Sequence, residues 1–222
     1  TLRPERFRQL TRRDEFARVI EGIESVGRAG FTGLKLDTVA IRGFNDDELV
    51  ALIEFAKHYR AEVRFIEYMD VGGANDWAME KVLSQAAILE TLAQHYGPIV
   101  PLPGRGTAPA QRFLLPDGTT FGIIASTTQP FCSTCDRSRV TADGMWYLCL
   151  YASKGTDLRQ PMRAGASPDR MRELISEGWQ ARRDRGAESR KALEAVGLRN
   201  GKLIGIDQLR GDPHLEMHAR GG

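Results

Sequence analysis

Leu34-Lys35-Leu36-Asp37-Thr38-Val39-Ala40-Ile41 is the stretch on which the fold turns. Its aliphatic and β-branched residues predict a strand, with Lys35 alternating against Leu34 and Leu36. Asn45-Asp46-Asp47-Glu48 comes next and sets acidic side chains at the start of a helix, where they complement its dipole; that helix runs to about His58. Val63 to Met69 reads as a second strand, and Ser84 caps a helix that ends near Gly97. Upstream, Phe16, Val19, Ile20, Ile23 and Val26 fall at helical spacing and predict an amphipathic helix over residues 11 to 29. Thr11 and Asp14 resemble a capping box there, and Gly30 stops it. Helices alternating with strands predict an α/β fold with parallel strands. About 100 residues cannot hold a complete barrel, so this region is expected to be part of one or a short open sheet.

The pattern changes at Pro98 to Ala110, a Pro/Gly-rich stretch that reads as a linker or long loop. Beyond it, Pro116-Asp117-Gly118 and Ala142-Asp143-Gly144 each lie between strand-like runs and predict two hairpins. Residues 168 to 196 are helical and mixed in charge, which is the pattern of a solvated face. Two domains are expected, 1–97 and 98–222. Thr1 in place of Met, followed by the connector-like Leu2-Arg3-Pro4-Glu5, suggests a fragment or a processed product; a removed initiator methionine is the alternative.

Composition narrows the class. Of 222 residues, 41% are hydrophobic and 27% charged, with a net charge of +2, which is ordinary for a soluble globular protein and gives no pull toward nucleic acid or membrane. Apolar runs such as Ile88 to Leu92 are too short to span a bilayer, and the thiols read as reduced, so a cytoplasmic location is expected.

All three cysteines stand in one window, Cys132-x2-Cys135-x13-Cys149. An odd count does not suit disulfide pairing, whereas three soft thiolates suit a metal centre that keeps one position open. The second hairpin sharpens this. A two-residue turn would set Cys149 opposite Ser138, and a three-residue loop with Gly144 left-handed would set it opposite Arg137. The second register, which we expect, puts Cys135, Arg137, Arg139 and Cys149 on one face. Guanidiniums there point to an anionic ligand; two edge-strand arginines that discourage aggregation are the alternative. Zinc is the rival metal, since Cys-x2-Cys is a common half-site and His214-x3-His218 could add ligands.

Phe131-Cys132-Ser133-Thr134-Cys135-Asp136-Arg137-Ser138-Arg139-Val140-Thr141-Ala142-Asp143-Gly144, followed by Cys149-Leu150, resembles the C-terminal cluster signature of the MoaA family, the radical S-adenosylmethionine GTP 3′,8-cyclases of molybdenum cofactor biosynthesis. Leu34 to Val39, Arg42-Gly43-Phe44-Asn45-Asp46-Asp47-Glu48, Arg64 to Met69 and the Gly221-Gly222 tail are similar to that family in the same order. The resemblance implies the later half of a partial (β/α) TIM-like barrel followed by an α+β iron–sulfur domain. It implies that Cys132, Cys135 and Cys149 hold an auxiliary [4Fe-4S] cluster with one iron left for substrate. It assigns Lys35, Arg137, Ser138 and Arg139 to GTP and Met69 to S-adenosylmethionine, and no residue of this chain to a catalytic role. On residue type alone, Lys35 could be the outward residue of a half-exposed strand and Met69 core filler. A strand's C-terminal end in a barrel nevertheless favours Met69, Glu67 and Asp70 as site residues, and Arg64 could reach a ligand. The family's N-terminal Cys-x3-Cys-x2-Cys motif is missing. The second [4Fe-4S] cluster therefore belongs only to a full-length enzyme, and this chain alone is expected not to cleave S-adenosylmethionine. A downstream pyranopterin-forming synthase and a homodimer are further implied partners. A non-catalytic zinc- or cluster-binding module, and another radical enzyme with an auxiliary cluster, are the alternatives.

Overall fold

The computed structural model describes residues 1–70, 77–195 and 211–212. They form two compact units, Thr1–Met69 with Ala78–Gln129, and Asp70–Trp77 with Pro130–Gly222.

The first unit is α/β. Strands β1 (Lys35–Ala40) and β2 (Glu62–Glu67) are parallel, with Lys35 opposite Glu62 and Ala40 opposite Glu67. Helix α3 (Leu49–His58) crosses between them, and α4 (Gln85–Tyr96) follows β2. Ser84 caps α4 as expected, its hydroxyl accepting from the Ala87 N–H at 3.3 Å. The chain then adds β3 (Val100–Pro101), β4 (Gln111–Leu114) and β5 (Thr120–Ile124). The sheet order is β1-β2-β5-β4-β3, parallel through β1, β2 and β5 and antiparallel beyond. Leu49, Ile53 and Ala56 of α3 and Ile88 and Leu92 of α4 pack on Val63, Phe65, Phe121 and Ile123 to make the core. Each Val, Leu, Ile or Phe side chain withdrawn from water contributes about 1.5–3 kcal/mol.

That sheet moves the expected domain boundary. Residues 98–110 are not a linker: Val100–Pro101 is a strand of the first sheet, and β4 and β5, assigned from sequence to the second domain, complete it. The physical cause is β5, whose Phe121 and Ile123 are buried and whose backbone hydrogen-bonds β2 from Arg64 to Ile66. The unit therefore continues to Gln129.

The helix expected over residues 11 to 29 begins only at Phe16, and a separate helix precedes it. Helix α1 (Pro4–Thr11) begins with proline, whose missing N–H costs nothing in a first turn. It ends where Arg12 turns left-handed (φ 58°). Thr11 closes α1 rather than capping its successor, its hydroxyl donating to the Phe7 carbonyl at 2.8 Å. Helix α2 (Phe16–Arg28) follows without a side-chain cap. Buried Glu48 holds the chain start, accepting from the Leu2 N–H and from Arg6, both at 2.6 Å.

The second unit carries a small antiparallel sheet, β6 (Arg139–Val140), β7 (Met145–Tyr147) and β8 (Thr156–Asp157), and helices α5 (Arg159–Arg163), α6 (Pro168–Gln180) and α7 (Gly186–Ala195). The β6–β7 turn is the three-residue one expected. The Gly144 N–H donates to Thr141 O at 2.9 Å, Gly144 is left-handed (φ 90°), and Arg139 faces Tyr147. The Pro116-Asp117-Gly118 turn repeats it, with Gly118 at φ 85° and Leu114 facing Thr120. No helix among the described residues is long and apolar enough to cross a membrane.

Glu67 shows how strictly the sheet end is specified. Its side chain has no solvent exposure and takes four donors: the Gln85 N–H (2.9 Å) and Thr128 hydroxyl (2.6 Å) on Oε1, and the Thr127 (2.9 Å) and Thr128 (2.7 Å) N–H groups on Oε2. An amide in its place must set its NH2 against at least one backbone N–H whichever way it turns, since only the Thr128 hydroxyl can rotate to accept. Glu67→Gln should therefore lower stability by about 1.5–3 kcal/mol, read as a lower urea midpoint with an unchanged slope.

Candidate thiol centre and anion cleft

Cys132 opens a 3-10 turn, Cys132–Thr134, and Cys135 ends it, with the Cys135 N–H donating to Cys132 O at 3.2 Å. Cys149 lies just past β7. The ladder has the register of the three-residue loop but ends at the Arg139–Tyr147 pair, so Cys149 itself is not paired across from Arg137. All three thiols are half-buried and none is in a disulfide.

Each sulfur meets N–H groups. The Ala187 and Glu188 backbone N–H groups, at the start of α7, reach Cys132. The Tyr151 N–H donates to Cys149 Sγ at 3.4 Å. Cys135 Sγ accepts from Arg137 Nη2 at 3.5 Å and from Arg182 Nη2 at 3.4 Å. Gly186, the first residue of α7, lets that helix approach. A Cβ there would stand 3.1 Å from Cys149 Sγ and 2.5 Å from Tyr151 Cβ. The α7 start thus meets Cys132 through its N–H groups and Cys149 through its bare Cα.

These surroundings separate two of the thiols chemically. Burial raises the Cys132 thiol and outweighs the pull of the two α7 N–H groups. Burial also raises Cys135, but the Arg137 N–H, the Arg182 guanidinium and the Arg137 guanidinium together overcome it and bring the thiol down to about 7.

Burial alternates along the segment: Cys135, Arg137 and Arg139 are half-buried, Asp136 and Ser138 exposed. Arg137 stacks 5.0 Å over the Phe131 ring. Ser138 is thus set apart from the two arginines. A cleft of about 400 Å³ beside Cys132 and Cys135 is walled by Trp179, Arg182, Asp184 and Arg185. Arg182 and the α7 start are the parts of this centre that sequence reasoning missed, having read the charged helical stretch as a solvated face. That reading holds for α6, which has no buried residue. Trp179, the penultimate residue of α6, was the one available sign of a side chain with a packing partner.

Thiols supplied with backbone and guanidinium N–H groups have the outer shell that iron–sulfur ligands use. The donor set therefore fits a thiolate-held cluster, with Cys132, Cys135 and Cys149 as the residues that would hold it. Among the described residues, no three His, Cys, Asp or Glu side chains stand as a group that could hold a metal ion, so the three cysteines match a cluster by their chemistry and not by their spacing. His214, His218 and Gly221-Gly222 lie outside the described residues.

In the first unit, Lys35 is exposed and lines an open cleft of about 800 Å³ with Lys57, Arg60, Glu62, Arg64 and Arg112. Glu62 bridges Arg64 (3.0 Å) and Arg112 (2.8 Å). Met69 is half-buried two residues beyond β2. Lys35 is level with Glu62 at the other end of the strand pair, so about 17 Å of strand separates it from the level of Glu67. Lys35 and Met69 are therefore not neighbours. Glu67 faces the core and is saturated by its donors. Asp70, in the second unit, is buried and paired with Arg190 of α7.

A mixed-sheet α/β unit joined to a unit that carries all three cysteines is the class that fold and site define. The family model described as Molybdenum Cofactor Synthesis C matches residues 61–188, from β2 into α7. The chain belongs to that family. It is similar to "GTP 3′,8-cyclase 3" of Mycobacterium bovis, at 58% identity over 222 residues, covering all of this chain and 58% of the relative. It is equally similar to "GTP 3′,8-cyclase 1" of Mycobacterium tuberculosis, 58% identical with 61% of that relative covered. The GTP 3′,8-cyclase of Aquifex aeolicus is 40% identical over 195 residues, 87% of this chain and 58% of the relative. The chain spans about three-fifths of the length of these curated relatives.

The thiolate, not the thiol, reacts with alkylating agents. In the metal-free chain, iodoacetamide should modify Cys135 with a midpoint near pH 7, slowing as pH falls below it. Cys132 should react more slowly at every pH up to its own raised midpoint. Peptide mass spectrometry of timed samples reads both; equal rates at pH 7 would contradict the assigned environments.

Proposed function

We propose that this chain is the substrate-holding portion of a GTP 3′,8-cyclase, which converts GTP to 3′,8-cyclo-7,8-dihydro-GTP in molybdenum cofactor biosynthesis. The observation that carries the reading is the thiol centre itself: three half-buried cysteines, each supplied with N–H donors, and two arginines beside the second of them. An auxiliary [4Fe-4S] cluster held by Cys132, Cys135 and Cys149 would supply one iron without a protein ligand, a coordination point for the purine.

The chain's own residues then bind and orient. Arg137 and Arg139 carry permanent positive charge and paired donors suited to phosphate oxygens. Arg137 is already stacked on Phe131, so little side-chain freedom is left to lose on binding. Ser138 adds a hydroxyl on the exposed side. Lys35, with Arg64 and Arg112 in its cleft, suits a polyphosphate by charge, and Met69 is assigned to S-adenosylmethionine. Holding the nucleotide so that ribose C3′ and guanine C8 are adjacent is a positioning task, which such contacts perform. In the same reading β1, β2 and β5 with α3 and α4 are the later part of a partial (β/α) barrel. Generating the radical falls to residues outside this chain, because its three cysteines are all in the thiol centre. A cytoplasmic location, a homodimer and a pyranopterin-forming synthase acting on the product belong to this proposal.

Anaerobic purification with iron and sulfide analysis tests the centre; a colourless chain with one zinc would sink the cluster. Titration calorimetry with GTP tests the arginines. Arg137→Ala and Arg139→Ala should each weaken binding at least tenfold, since a charge-assisted contact contributes about 1.5–3 kcal/mol. Unchanged affinity in both variants would rule out the proposed substrate contact.

A further inference from the structure

Arg182 follows the end of α6 and turns onto the Cys132–Cys135 loop. Its Nη1 donates to the Cys135 carbonyl at 2.7 Å, its Nη2 reaches Cys135 Sγ at 3.4 Å, and its guanidinium lies 4.9 Å over the Trp179 ring. One planar group therefore holds the main chain and the sulfur of the same cysteine while an aromatic face holds the group. A lysine has the charge but not this fork.

The helix that delivers Arg182 is itself seated closely. A Cβ on Gly178 would stand 2.6 Å from Trp146 Cζ3, and that ring, on β7, is buried. The backbone of α6 therefore lies directly against the ring, which sets where the chain emerges four residues later. Arg137 also reaches Cys135 Sγ, but from two residues away in the same loop. Arg182 comes from 47 residues away, so it ties that loop to the rest of the unit.

We infer that Arg182 is a positioning residue for the metal centre: it fixes the Cys135 backbone and gives the Cys135 sulfur a directed N–H donor when a cluster is bound. The inference rests on the reading that Cys132, Cys135 and Cys149 hold an iron–sulfur cluster. Donors aimed at a ligand sulfur favour the more negative, reduced state and so raise the reduction potential. The backbone contact retains the ligand; the sulfur contact tunes the cluster.

The whole chain, loaded anaerobically with iron and sulfide, is compared with Arg182→Ala, Arg182→Lys and, as a control on the exposed face of α6, Arg172→Ala. Iron release to a chelator is followed by absorbance, and the cluster potential by redox titration; circular dichroism and initial iron content verify folding and loading. Arg182→Ala should release iron about tenfold faster and shift the potential negative, the scale usual for a lost outer-shell partner. Arg182→Lys should fall between it and the parent, and Arg172→Ala should match the parent. Unchanged release and potential in Arg182→Ala overturns the inference. Faster release at an unchanged potential overturns it too, because that outcome reduces Arg182 to a support of the fold. If the alanine variant does not fold, Arg182→Lys decides alone, and parent-like values overturn the inference. A parent chain that takes up no iron overturns the cluster reading itself, before any variant is compared.

Discussion

Four donors converge on the carboxylate of Glu67, and the architecture of the first unit depends on that convergence. A charge wholly removed from water is tolerated only when its lone pairs are matched by hydrogen bonds. Meeting that need joins the end of β2, the start of α4 and the Thr127–Thr128 segment after β5. Once those three are joined at β2, β5 must run beside it, and the hairpin partner β4 and then β3 follow. The first unit consequently cannot end at Pro98.

The same rule governs the thiols. A thiolate half withdrawn from water needs N–H groups aimed at its sulfur. The α7 start supplies two of these to Cys132, the turn after β7 supplies one to Cys149, and guanidiniums supply Cys135. Unequal supply leaves the thiols unequal, with Cys132 raised by burial and Cys135 lowered to about 7. Gly186 is what lets α7 come so near: any side chain there would collide with Tyr151 and press on Cys149.

Much of this was legible where the physics is local. The Asp-Gly pairs at 117–118 and 143–144 announced two hairpins, and at the second the three-residue turn was the one expected, with Gly144 left-handed. From the second of these followed the pairing of Arg139 with Tyr147. Ser84 announced the start of α4, and the alternation of Lys35 with its neighbours announced an exposed strand residue. The break between α1 and α2 was not legible, because Arg12 adopts a left-handed conformation that its residue type does not favour. Glu67 shared its parity with Val63 and Phe65 and so was placed on the inward face. Its purpose there was hidden, since its donors lie 18 to 61 residues away. Placing Glu67 among candidate site residues, on the strength of a strand end alone, mistook a saturated structural carboxylate for an available one.

The amino-acid sequence by itself determined α2 to α4, β1, β2 and the two hairpins, the helical character of residues 168 to 195, the number and spacing of the thiols, and the arginines beside them. Each of these depends on forces acting over a few residues: backbone propensity, capping, side-chain periodicity. The tertiary structure alone decided which strands share a sheet, that Lys35 and Met69 lie at opposite ends of a strand pair, and which N–H groups serve each sulfur. Those outcomes depend on where a buried charge finds its donors, and donors are recruited by proximity in space. Arg182 reaches Cys135 across 47 residues because a glycine lets α6 lie against Trp146, a packing fact with no local signature.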